Sequence, residues 1–564
     1  MLIYGAQRGD FCVEIRMTRE DFRIFLSKRK PNLPRTVAVV VAPIHVLNIF
    51  NQVPILFYND LSDQRNMVAA FLHRIGGVMP VGDPQTVSRL LQYARCVRLR
   101  YLTRPVRNDL KTVEQYVHDL SLSSARKQRI IECLKNLSHL KRRDFMTSAF
   151  MKDEGYPEEK NPRIINAYND NVKIAVGLVT SACEKSLFNG PLSRLFVKGE
   201  DPKSYPELMR RIFANRRVME SDYSSMESHH SGALGTIFTD FFKDQLRGLP
   251  VSNGCKRAIL QLLFQRNHME GLGVVAECDQ NLMSGVNWTS FSNAYLNFVV
   301  TSFIVLTTKY PEASPEELCG HVETLQALYE GDDCISETAP GVEEVIKKLP
   351  VRLVFKQHDH FWEAKFCGNR MSEYDDTILI DHEDIIRKLF VLPSKLQHAK
   401  QVTQLRYLRA KALSYYHQYC NTPVVGPLLF KVLEKTSGLD VGSIVTAETD
   451  YWTRIRNARA SQVDPRRPPR VSHESRLGYA SRYGHEIDVQ KQMERTIYSW
   501  SGPSIKLDIT VKPYEVIIQD FYHAPDAIPS PDRTYIRAWT QSQLMRSSKR
   551  GINLKFKPKT LRIL

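Results

Sequence analysis

Apolar residues recur at three- and four-residue spacing in two upstream stretches, QRNMVAAFLHRI at 64–75 and VSRLLQYARCVRLRYL at 87–102. That period predicts amphipathic helices, so residues 60–145 read as largely helical. The middle of the chain mixes strand-like and helix-like runs, and the helical period returns from Lys395 to about residue 434. Beyond it, DPRRPPR at 464–470 is a Pro- and Arg-rich loop, suited to a boundary or a surface contact. SIKLDITVKPYEVIIQDFY at 504–522 reads as two short strands around a turn, and the end of the chain is strongly basic. The most apolar run, 37–58, is broken by Pro43, His45, Asn48, Asn51, Gln52 and Pro54. A membrane-spanning helix needs about 20 mostly apolar residues, so this run is expected in the core.

Within these elements lie short segments with candidate chemistry. LQALYEGDDCISE has apolar residues on both sides of Gly331-Asp332-Asp333. The pattern suits a tight hairpin in which glycine permits the turn and the aspartates sit at its tip. Adjacent carboxylates repel unless cations neutralise them, and hard oxygen ligands favour Mg²⁺ or Mn²⁺. Alone, Gly-Asp-Asp is a short string of common residues and says little. A second carboxylate segment, VMESDYSSMESHHSG, looks like a strand running into a turn and a helix. Asp222 falls at its end, Glu227 follows, and Glu220 shares the strand face. If this strand pairs beside the hairpin, Asp222 and Asp332 can share two metal ions at a spacing of about 3.5–4 Å.

Between the two lies NLMSGVNWTSFSNAYLNF. Ser284-Gly285 predicts a flexible loop, and Thr289, Asn293 and Asn297 recur every four residues on one face of a helix. A polar stripe on so apolar a helix needs partners. A ribose would supply them, with Asn293 and Glu227 sensing the 2′-hydroxyl. Upstream, Lys152, Lys160 and Arg163 form a basic segment that Asn161-Pro162 keeps extended. Such an arm suits a triphosphate, which arginine grips bidentately and lysine meets as a point charge. His358, His360 and Cys367 offer zinc donors, but no fourth ligand stands at a recognisable spacing.

Length and composition add bounds. At roughly 100–200 residues per domain, 564 residues suggest three or four subdomains. A net charge of +17 favours a polyanionic partner, because neutralising phosphates releases counterions. Ten cysteines without a CxxC pair argue against a zinc ribbon or a disulfide scaffold and fit a reducing compartment. The first residues show no basic region followed by an apolar run, so no signal peptide is expected.

Taken in order, KDE…KNPRII, DYSSME, SGVNWTSFSN and EGDD resemble the motifs lettered F, A, B and C of positive-strand RNA virus RNA-dependent RNA polymerases. RLVFKQHDHFWEAKFCGNRM resembles motifs D and E, and its Phe366-Cys367-Gly368 is similar to the tombusvirus-like lineage. The resemblance covers about residues 66–434. It implies an α+β right-hand fold with an antiparallel palm sheet and mostly helical fingers and thumb. It implies an N-terminal region and fingers in 1–215, a palm in 216–375 with an inserted fingers segment at about 233–280, a thumb in 376–500 and a C-terminal extension with a basic tail at 501–564.

It further implies RNA-templated nucleotidyl transfer from NTPs with two Mg²⁺ (or Mn²⁺) ions. Asp222, Asp332 and Asp333 match the metal-site acids. Ser284, Gly285, Thr289 and Asn293 match the template- and ribose-sensing elements. Lys152, Lys160 and Arg163 match the triphosphate contacts, and Lys356 matches a lysine that protonates pyrophosphate. Many relatives have Asp where this chain has Glu227. The implied partners are RNA template and product, other viral replicase proteins, and host membranes reached through a partner in the cytoplasm. A homo-oligomer is compatible. Two other readings stay open: a reverse transcriptase, for which an aromatic gate near position 227 would be expected, and a non-catalytic RNA-binding scaffold.

Overall fold

Strand β1 (Val218–Tyr223) sets Met219, Ser221 and Tyr223 on one face and Val218, Glu220 and Asp222 on the other, and is an inner strand of a four-stranded sheet. With β2 (Ala327–Glu330), β3 (Asp333–Glu337) and β4 (Leu353–His358) it forms a wholly antiparallel sheet in the order β2-β3-β1-β4. Helix α1 (Thr289–Lys309) precedes β2, and helix α2 (Val342–Lys347) links β3 to β4. The two helices pack together. This is a split βαββαβ arrangement, with further helices and a hairpin inserted between β1 and α1. The structure, a computed structural model, describes most of residues 56–102, 142–279, 288–441 and 463–500, residue 285, and short pieces at 3–5, 21–26, 35–42, 111–119, 124–131 and 505–511.

The strand period of two divides the sheet between two cores. Met219, Tyr223, Tyr329 and Cys334 belong to one core with α1 and the upstream helices. Val218, Leu328 and Ile335, on the opposite face, belong to a second core with Phe361, Phe366 and residues of the helices Gln401–Tyr419 and Val425–Lys435. Helix α1 is apolar nearly all round, which is why it is buried nearly all round. By length and composition it could cross a membrane, yet almost all of it is packed inside the protein.

Upstream, the predicted helices appear as Gln64–Phe71, Pro84–Tyr101 and Val113–Asp119. Asp63 and Asp83 cap the first two through backbone N–H groups, and Pro84 occupies a first-turn position where its missing N–H costs nothing. A five-stranded sheet places Thr147–Met151 beside Ile164–Ala167, so the basic segment 152–163 is the connection of a hairpin. Most pairings in that sheet are antiparallel, but Thr147–Met151 runs parallel to Arg266–Gly271. The apolar run near the start of the chain begins as Arg35–Ala42, the middle strand between Val391–Pro393 and Ile505–Val511. The second strand expected in 504–522 lies outside the described residues, as does the basic tail.

Candidate active site

The turn between β2 and β3 has two residues, Gly331 and Asp332, because Glu330 pairs with Asp333. Gly331 takes φ +59° and Asp332 does not share a positive φ, the pattern of a II′ hairpin turn that glycine at the first position makes accessible. Cys334 pairs with Ser221, so one step further along the ladder Asp333 comes level with Asp222. The predicted juxtaposition of the two carboxylate segments is therefore present.

The electrostatics record how tightly the acids are gathered. Asp222 stands at the solvent-facing end of β1, yet the protein crowds its carboxyl. That desolvation, and then the charge of Asp332, hold it above the usual carboxylate range, while Lys160 and Arg163 pull it down. Burial, then Asp332, Asp222 and Glu330, push Asp333 up to about 7, with Lys365 opposing. Burial also raises Glu330, whose carboxylate meets Lys198 Nζ at 3.6 Å. Lys198 in turn donates to Ser290 Oγ at 2.6 Å, tying the hairpin to the first turn of α1.

Glu227 lies on the single helical turn Met226–His229, which leaves β1 through Ser225 at φ +57°. Burial raises its carboxyl. Arg74, 3.6 Å away, and Arg163 oppose that rise, and the charge of Asp332 adds to it. Arg352 sits in the same field. The adjacent His229 is held neutral by burial, its pKa lowered to about 3. Its Nε2 accepts from the Arg352 backbone N–H at 2.9 Å, so its Nδ1 carries the proton and donates to the Ser225 carbonyl at 3.2 Å. The ring thus fastens the turn after β1 to the start of β4. Arg74, His229 and Arg352 carry no sequence periodicity that would single them out.

The loop and helix between the acidic segments divide their polar residues between two tasks. Ser284 lies outside the described residues. Gly285 has φ +108°, and a Cβ there would stand 2.9 Å from the Asn166 carbonyl oxygen, so the loop passes against the strand that follows Arg163. Thr289 opens α1. Asn293 Oδ1 lies 2.9 Å from Nε2 of His230, a buried ring whose pKa burial lowers to about 4. A neutral ring donates here from Nε2, which leaves the Asn293 amide nitrogen as a donor on the other side. The doublet His229-His230 immediately after the acidic segment was the signal that could have found both residues. Asn297 departs from the ribose expectation: its Nδ2 reaches the carbonyl oxygens of Gly331, Asp332 and Asp333 at 3.2, 3.0 and 3.3 Å. Its partners are inside the protein.

Of the basic residues, Lys160 and Arg163 lie near enough to Asp222 for their charges to lower it, while their own ion pairs are with Glu158 at 3.8 Å and Glu154 at 3.7 Å. Lys152 is turned toward Glu154, with Nζ 2.9 Å from the carboxylate. Burial raises Glu154, but Lys152 and Arg163 outweigh it and leave the carboxyl below its usual range. Lys356 is exposed on the edge strand β4, opposite Glu220 and two pairs beyond Val354, which faces Asp222. Glu220 accepts from the Lys365 backbone N–H and stands 3.4 Å from His358 Nε2. His360 stacks on Trp362, and Cys367 occupies a tight turn at φ +50° followed by Gly368 at φ +77°. Among the described residues no three His, Cys, Asp or Glu side chains converge on a metal position, so the zinc donors are not assembled. The chain matches no known family model and no curated protein.

Proposed function

We propose that this chain is an RNA-dependent RNA polymerase of an RNA virus, with a right-hand fold in which the four-stranded sheet is the palm. The observation that carries the reading is the gathering of three remote segments. The strand ladder brings Asp333, and with it the Gly331-Asp332 turn, level with Asp222; Asp332, Lys160 and Arg163 all bear on Asp222; and Glu227, 3.6 Å from Arg74, feels both Arg163 and Asp332. A scaffold that only binds RNA has no use for mutually repelling carboxylates beside the phosphates it must hold.

The donor set fits Mg²⁺ or Mn²⁺. Asp222 and Asp332 are hard oxygen donors, burial and then the charge of Asp332 raise Asp222, and Asp333 stands beside them. Mg²⁺ is commonly bound by one or two carboxylates together with substrate phosphates rather than by an all-protein cage. When bound, such ions neutralise the acids and favour both the attacking 3′-hydroxyl and the departing pyrophosphate. The chain's own residues do the rest. Arg163 and Lys160 bind the triphosphate and offset its charge near Asp222. Asn293 offers its amide N–H to the ribose, and Glu227 accepts from a ribose hydroxyl. Catalysis of this kind is mostly positioning and electrostatics. On this reading, residues 1–215 are the N-terminal region and fingers, 216–375 the palm and 376–500 the thumb. The chain works at membrane-associated replication complexes in the host cytoplasm, with a partner protein supplying the attachment.

The test is RNA synthesis by the purified chain from an RNA template, NTPs and Mg²⁺ or Mn²⁺. Asp332→Ala is expected to abolish synthesis while leaving the circular dichroism spectrum unchanged. Undiminished synthesis by that variant sinks the assignment. Preferential use of dNTPs points instead to a reverse transcriptase, and metal-independent RNA binding without synthesis to a scaffold.

A further inference from the structure

Three successive carbonyl oxygens of the carboxylate turn share one side-chain amide. Asn297 Nδ2 lies 3.2 Å from the Gly331 oxygen, 3.0 Å from that of Asp332 and 3.3 Å from that of Asp333. The other end of the amide is also fixed, because Thr301 Oγ1 donates to Asn297 Oδ1 at 3.0 Å. Both side chains are fully buried, one helical turn apart on α1. Because the three carbonyl oxygens can only accept, the amide must present its N–H groups to the turn, and its oxygen is left to accept from Thr301, which settles the orientation that an isolated amide would leave open. Thr301 also lies close to the Tyr223 hydroxyl, next to Asp222 in β1. The pair therefore stands beneath both carboxylate-bearing strands.

A two-residue turn containing glycine is the most pliable part of a hairpin. Asp332 sits in that turn, while Asp222 sits at the end of a strand paired on both sides. We propose that Asn297, oriented by Thr301, is a positioning residue that sets the pitch of the Gly331-Asp332 turn so that Asp332 can share a divalent cation with Asp222. The inference rests on the polymerase reading for its biological purpose, but its physical content is metal affinity. A buried asparagine that merely satisfied its own polarity would affect stability and leave metal affinity alone.

The experiment uses the full chain as wild type, Asn297→Ala, Thr301→Val, Thr301→Ser and Asp332→Ala. Mn²⁺ binding is measured without substrate by electron paramagnetic resonance and calorimetry, beside thermal unfolding, and RNA synthesis is then titrated with Mn²⁺. Asn297→Ala is expected to weaken the Asp332-dependent Mn²⁺ site about tenfold, equivalent to roughly 1.4 kcal/mol. The Mn²⁺ concentration for half-maximal synthesis should rise by a similar factor, with the template KM unchanged. Thr301→Val should shift both in the same direction by less, and Thr301→Ser should restore wild-type values. A folded Asn297→Ala that binds Mn²⁺ like wild type overturns the inference. Should that variant fail to fold, wild-type binding by folded Thr301→Val does the same. A wild-type chain that binds Mn²⁺ through Asp332 but makes no RNA overturns the polymerase reading alone, and one with no Mn²⁺ site at Asp332 overturns both.

Discussion

Replacing Asp333 by asparagine keeps the shape of the side chain and removes a charge that the fold resists. Burial, then Asp332, Asp222 and Glu330, raise this carboxyl from 3.8 to about 7. Between those values the folded chain retains a proton that the unfolded chain has released. The contribution of Asp333 to stability must therefore fall as pH rises through the window from about 4 to about 7, and level off on either side of it. A shift of about three units at roughly 1.36 kcal/mol each sets a ceiling of about 4 kcal/mol, and local relaxation around the charge makes roughly 2 kcal/mol the expected value. Urea unfolding followed by tryptophan fluorescence in EDTA measures it. Asp333→Asn and wild type should be nearly equal at pH 4, and the variant should be the more stable by about 2 kcal/mol at pH 8. Adding Mg²⁺ at pH 8 should stabilise wild type more than the variant. A difference between the two proteins that is the same at pH 4 and pH 8 would refute the reasoning.

Other outcomes follow from the same site. His230→Phe removes the donor that orients Asn293 and should reduce the preference for NTPs over dNTPs about five- to tenfold, the worth of one net hydrogen bond. Because burial keeps His230 neutral, with its pKa at about 4, the wild-type preference should not vary between pH 6 and pH 8. Competitive incorporation assays check both. Both cations stand near Glu154, but Arg163 also bears on Asp222, so Arg163→Ala should raise the NTP KM about tenfold and Lys152→Ala should change it less than about threefold. Equal effects in steady-state kinetics would show that the basic segment binds triphosphate differently.

The elements nearest the chemistry were legible because their signals are local. Glycine between apolar runs predicts the turn at Gly331, VMESDYSSMESHHSG reads as a strand running into a turn and a helix, and the three- and four-residue periods predict the helices at Gln64–Phe71 and Pro84–Tyr101. Local chemistry also named Asp222 and Asp332 as partners, given one assumption about strand pairing. The assignment of the polar stripe on α1 was not legible in full. Asn293 and Asn297 have the same spacing and the same chemistry, but one lies beside His230 and the other under the turn. Which of them meets a carbonyl depends on where the sheet lies along the helix, and that is decided by the packing of Tyr329 and Cys334 against α1. Arg74, Arg352 and Lys365 were out of reach for the same reason: each comes from its own segment, and nothing in its neighbours marks it. Strand Arg35–Ala42 likewise finds its partners in Val391–Pro393 and Ile505–Val511, hundreds of residues away. Sequence alone determined what each segment is, because period, turn propensity and charge are carried by neighbouring residues. The tertiary structure decided which segments meet and with which side chains, because register and burial depend on residues that are neighbours only after folding.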